Sequence, residues 1–187
     1  MQSGEEEEET VNEATNLLKF MSGGAKPPQG LRLNGGKKQQ ILRSFKDDGG
    51  TDAHIIYGKI TKGGCCVAVA DKCIIIGTFD EMSNHTGPGC NEVVSLMAKY
   101  LVKSSWPLDE SQLGGSNSAT WKPYIENMLL GKGSVANALI CSREDGLVFA
   151  HSPEEFRLST YETPITQESG EEVVETVDEM KNLLHVS

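Results

Sequence analysis

A chain of 187 residues, 37% of them hydrophobic, can bury roughly 70% of the surface its unfolded form exposes, enough for a single domain over residues 1–187. Its formal charge of −10 argues against nucleic-acid partners and anionic membrane surfaces. The excess sits at the two ends: residues 1–20 and 168–187 each carry a net −5, while the body between them holds 15 basic and 15 acidic side chains, so a local basic face on that body stays open.

In chain order, Ser3 to Phe20 (SGEEEEETVNEATNLLKF) reads as a helix. It has no Pro, and its glutamates fall in the first turn, where the helix dipole favours negative charge. From Gly30 to Phe79 the pattern changes to short β-rich runs separated by Gly, namely LRL, QQILRSF, HIIYGKI, CCVAVA and CIIIGTF. Such punctuation predicts an antiparallel meander. Helical periodicity returns over Pro88 to Lys103, carried by Val93, Val94, Leu96, Met97, Tyr100 and Leu101, and Trp106-Pro107 closes that helix.

Residues 107–120 are polar, rich in Gly and Ser and without period, a flexible connector whose r.m.s. span is roughly 20 Å. A helix over Trp121 to Leu130 follows, then strands over Ala136 to Ser142 and Gly146 to Ala150, and an irregular loop containing Pro153 and Pro164. Residues 169–186 (SGEEVVETVDEMKNLLHV) repeat residues 3–20 with 11 identities in 18 positions. Val173, Val177, Met180 and Leu184 give this second copy the fuller apolar stripe. We therefore expect a duplicated helix whose second copy docks, leaving residues 1 to about 16 mobile, with exchange between chains as a route to dimers. The fold class is α+β.

Several chemistries lack their residues. Cys65, Cys66, Cys73, Cys90 and Cys141 show no CxxC spacing and are odd in number, which fits reduced thiols in the cytoplasm. His54, His85, His151 and His185 have no mutual metal-ligand spacing. Gly35-Gly36-Lys37-Lys38 lacks the earlier Gly and the following Ser or Thr of a phosphate loop. No metal, cofactor or catalytic activity is expected. The N-terminus is acidic where a signal peptide would be basic and then apolar, and the best apolar stretch, Cys65 to Phe79, is broken by Asp71 and Lys72, so no membrane span is expected either.

Trp121 and Tyr124, at i and i+3, share one helix face and can line one groove. A polyproline II ligand, having no internal hydrogen bonds, docks against such aromatic walls. Aromatic pairs at this spacing are also ordinary core packing, so the residues alone leave both readings open.

Trp121-Lys122-Pro123-Tyr124 followed by ANALICS and the turn Arg143-Glu144-Asp145-Gly146 resembles the opening half of a profilin, and GLRLNGGKKQQILR within residues 5–106 resembles the second half. The halves stand in reversed order, as in a circular permutation or a window cut across two tandem profilin repeats. The resemblance implies a central antiparallel sheet flanked by helices on both faces, with permuted connectivity, the second half over 5–106 and the first over 121–186. It further implies a cytoplasmic, non-enzymatic regulator of the actin cytoskeleton that binds actin monomers and proline-rich proteins such as actin assembly factors, with phosphoinositides as a further ligand. For the polyproline groove it adds Tyr100, Leu101 and Trp106 to Trp121 and Tyr124. For the actin face it points to Lys38, Arg43, Lys59 and Asn91, whose chemistry suits an acidic partner. Two departures stand out: Tyr57 occupies a position where many profilins carry Arg, and Val67 to Asp71 lacks basic residues found in some.

Overall fold

The computed structural model of the chain describes residues 31–33, 37–46, 53–104, 121–158, 160–166 and 172–180. The expected helix over 3–20, the connector and Trp106 lie outside them.

Seven strands, β1 (Leu31–Leu33), β2 (Lys37–Lys46), β3 (His54–Ile60), β4 (Gly63–Val69), β5 (Cys73–Asp80), β6 (Asn137–Ser142) and β7 (Val148–Ser152), form one sheet in chain order. Every neighbouring pair is antiparallel, so the expected meander extends into the strands beyond the connector. β4 is buried along its whole length and β5 nearly so. Their runs of Cys, Val, Ala and Ile are continuous rather than alternating because the sheet is covered on both faces. Ile55, Cys66, Ala68, Ile75, Ala138 and Ile140 face one core cluster, and Ile56, Cys65, Val67, Ile74, Ile76, Leu139 and Cys141 face the other.

The first core is closed by two helices. Helix α1 (Gly87–Lys103) starts at Thr86, whose hydroxyl accepts from the Gly89 N–H, with Pro88 in its first turn. It buries Cys90, Val93, Val94, Met97, Ala98 and Leu101 along one stripe. The second helix differs from the expected α-helix: Tyr124–Leu129 is wound as a π-helix and runs into a 3₁₀ turn, Leu130–Lys132. Trp121, Ile125 and Leu129, four residues apart, are all at most 1% exposed, and a wider winding keeps such a spacing on one face. Pro123, which has no N–H to give, stands at its entry.

Both of these helices pack on the same face of the sheet. On the opposite face, the described residues that cover the core are Leu33 and Phe156, with Leu158 and Met180 against them. The helix expected over 169–186 is corrected over its described part, because Glu172–Asp178 is a strand, β9, paired antiparallel with β8 (Thr160–Thr166). Val173, Val174, Thr176 and Val177 make the segment β-branched at four of seven positions, which favours the pleated surface over the helix. Among the described residues of this segment the backbone turns helical at Glu179 and Met180, with Glu179 buried. Pro164, read as part of an irregular loop, also lies within β8, opposite Val174. A ribbon of two strands tolerates it because an edge position needs no donor on its outer side.

All five cysteines are free and buried. Burial pushes the Cys65 thiol up to about 12 and the Cys141 thiol likewise to about 12, and raises Cys73 as well. A neutral buried thiol stabilises the fold below the ordinary thiol pKa near 9.0, and that contribution fades as pH rises from there toward the folded value. At pH 8 a thiol-reactive chromogen should label none of the five in the native protein and all five in urea. Rapid labelling of the native state would contradict this packing.

Candidate functional site

Tyr100, Trp121 and Tyr124, three of the residues expected at the polyproline groove, come together where the C-terminal end of α1 meets the start of the π-helix. Tyr100 and Tyr124 lie with ring centroids 6.0 Å apart, Tyr124 and Trp121 5.6 Å apart, and Trp121 stacks on Phe149 of β7 at 5.2 Å and 14°. Four rings thus run in one train from the helix surface down to the sheet, at separations where aromatic pairs attract. Tyr100 is 42% exposed, while Trp121 and Leu101 are each 1% exposed. Of the residues expected to line a groove, Tyr100 and the half-buried Tyr124 present surface, whereas Trp121 and Leu101 are enclosed in the core beneath them.

Tyr124 and Tyr100 are hydrogen-bonded through their hydroxyls, and this bond, with some burial, holds the Tyr124 phenol above its ordinary pKa. The two phenols set polar groups beside apolar ring surface. A polyproline II ligand needs that combination, flat rings for its pyrrolidines and donors for its exposed carbonyls.

Of the residues expected for an actin face, Lys38, Arg43 and Lys59 fall on strands of the sheet and Asn91 on α1. Lys59, on β3, is ion-paired with Glu81 and lies 5.4 Å from the centre of the Phe79 ring, so an ion pair and a cation–π contact both orient its ammonium. Asn91 occupies the second turn of α1, and its buried Oδ1 accepts no hydrogen bond among the described residues. By backbone register, Arg43 lies opposite Tyr57 and Lys38 opposite Arg32.

Between Lys59 and the start of α1 the surface forms an open depression of about 410 Å³ lined by Tyr57, Glu81, His85 and Pro88 among others. Its rim is shaped by the 3₁₀ turn Glu81–Ser83, which Asp80 caps from one side and left-handed Asn84 ends on the other. Tyr57, the departure noted above, points its hydroxyl at the α1 start. A Cβ on Gly87 would lie 1.8 Å from Tyr57 Oη, so a larger residue there needs the Tyr57 side chain to move.

Sequence reasoning missed Phe149, Phe79 and Glu81 as parts of these sites. Strand alternation in LVFAHS could have placed Phe149 on the helix-facing side. The pairing of Lys59 with a residue beyond the next two strands carries no local signal. Among the described residues no three His, Cys, Asp or Glu gather as a metal site, and no helix is long and apolar enough to cross a membrane.

The sequence model of the family described as Profilin matches residues 2–106. A curated relative, "Profilin" of Tetrahymena pyriformis, is 30% identical over 105 residues, covering 51% of this chain and 65% of its own length. The chain therefore spans less than two-thirds of that relative's length. No solved structure matches.

Proposed function

Because the chain belongs to the profilin family, we propose that it is an adaptor that holds an actin monomer on one face and a proline-rich assembly factor on another, regulating filament growth. The observation that carries the proline-rich half is the ring train Tyr100–Tyr124–Trp121, whose outer members are accessible and whose inner member is fixed by Phe149. Trp106 joins this groove in the proposal. The actin half rests on Lys59, oriented rather than loosely solvated, with Asn91, Arg43 and Lys38 on neighbouring elements. Phosphoinositide headgroups would compete for the same basic residues.

We further propose that the family's two halves stand here in reversed order. β5 and β6 pair over six registered positions, Cys73↔Ser142 to Thr78↔Asn137, and the Asn137 amide donates to Thr78 Oγ1 at 2.8 Å. One sheet thus runs across the connector, as a permuted domain requires.

Titration with polyproline followed by calorimetry tests the first site, and pyrene-actin assembly tests the second. Tyr100→Ala should weaken polyproline binding at least tenfold and leave actin kinetics unchanged, and Lys59→Glu should do the reverse. Polyproline binding that ignores Tyr100→Ala would overturn the groove. The repeat of residues 3–20 at 169–186 favours a second reading, a proline-motif module from a tandem array, and this one leaves actin assembly kinetics unaltered by the wild-type protein.

A further inference from the structure

We infer that the outer edge of β9 is a docking edge for an extended segment of another protein, rich in Lys or Arg, which adds to the β8–β9 ribbon as a third strand. Neither site proposed above uses a residue of this ribbon. Leu158, just before β8, and Met180, just after β9, pack against the second core, so the base of the ribbon is held. Among the described residues, β8 and β9 pair only with each other. Two strands alone are marginally stable in water, and a third adds a full ladder.

Pro164 fixes which backbone groups point outward. Along an antiparallel pair, opposed residues alternate between those that exchange both hydrogen bonds and those that exchange none. Pro164 has no N–H to exchange, so Pro164 and Val174, which lie opposite each other, are of the second kind. Two residues along, Glu162 and Thr176 are of the same kind. The N–H and C=O groups of Val174 and Thr176 therefore point away from β8, along the outer edge of β9. On the β8 side the same geometry leaves Pro164 without an outward donor, which blunts that edge. Val174 is 66% exposed, and Glu162 and Thr176 are exposed beside it. Strand addition to such an edge takes its affinity from main-chain bonds and its specificity from the side chains alongside.

Charge selects the occupant. From Thr160 to Asp178 the chain holds six Asp and Glu and no Lys or Arg. A second copy of the ribbon would set like charges opposite one another, as would the acidic residues 3–20 of this chain, whereas a basic strand brings the complement.

Calorimetry on the full chain tests this with three peptides: Lys-Val-Lys-Thr-Lys-Val-Lys, the same peptide with Glu for every Lys, and the Lys peptide N-methylated along its backbone, which keeps the charge and removes the donors. The Lys peptide should bind, and the other two at least tenfold more weakly. Val174→Pro deletes an outward donor opposite Pro164 and costs the ribbon no bond of its own, so it should weaken the Lys peptide at least tenfold with the thermal midpoint unchanged. Glu162→Lys should weaken the Lys peptide and strengthen the Glu peptide, and this exposed substitution decides the matter if Val174→Pro disturbs the fold. Equal binding of the N-methylated peptide would reduce the attraction to net charge and overturn the docking edge, as would a Lys peptide that does not bind. A concentration-dependent dimer of the wild-type chain that Val174→Pro abolishes would assign the edge to a second copy and overturn the basic partner.

Discussion

Trp121→Ala should lower the stability of the native state by about 3–5 kcal/mol, the usual cost of removing a buried large aromatic, and so move the urea midpoint down by more than 1 M for a chain of this size. The indole is 1% exposed and is sandwiched between Phe149 on the sheet and Tyr124 on its own helix. Ile125 and Leu129 follow it on the same buried face, so no neighbouring side chain can swing into the space it leaves. Trp121→Phe should cost far less, because a ring remains stacked on Phe149. Chemical denaturation followed by circular dichroism decides the matter, and a loss below about 1 kcal/mol for Trp121→Ala would mean that the ring packs less deeply than described.

The size of that effect bears on how the site is probed. A loss of polyproline binding in Trp121→Ala would therefore not separate a lost fold margin from damage to the proposed groove. Tyr100, exposed on α1 and not enclosed by the core, separates the two. Substituting it removes a wall of the proposed groove and the hydroxyl partner of Tyr124 while sparing the stack beneath.

The elements legible in the sequence were those in which local preference and burial agree. HIIYGKI, CCVAVA and CIIIGTF are β-branched or small, bounded by Gly, and buried on two faces, and they became β3 to β5 with only slight shifts of boundary. Over 172–178 the two signals conflicted. Val173 and Val177 fit a helical stripe, yet Val173-Val174 and Thr176-Val177 also suit a pleated strand, and pairing with β8 settled the competition. Of the aromatic site, the adjacency of Trp121, Tyr124 and Tyr100 was legible from helical spacing and family resemblance together. The depth of Trp121 was not, because the ring that covers it, Phe149, arrives from a later strand. Lys59 was legible as a charge, but its orientation depends on Glu81 and Phe79, which reach it only through the β3–β4–β5 register.

That register makes Gly64→Ala the most damaging small substitution on the proposed actin side. Gly64 lies opposite Lys59 on β3 and opposite Phe79 on β5. A Cβ there would sit 2.3 Å from the Gly58 carbonyl oxygen and 2.7 Å from the Phe79 ring. The ring could give way, but the carbonyl belongs to the backbone of the neighbouring strand and yields only if the ladder opens. Overpacking of this kind costs about 1–3 kcal/mol, and the displaced Phe79 ring is the one beneath the Lys59 ammonium. Gly64→Ala should therefore lower the thermal midpoint and weaken actin-monomer binding together, and Phe79→Leu in the same chain should not restore stability, since the carbonyl contact persists. Gly87→Ala provides the contrast. Its closest contact is the tip of a side chain, Tyr57 Oη at 1.8 Å, and Tyr57→Phe should recover part of the loss. Full recovery of Gly64→Ala by Phe79→Leu would show that the ring, not the β3 backbone, sets the limit at that position.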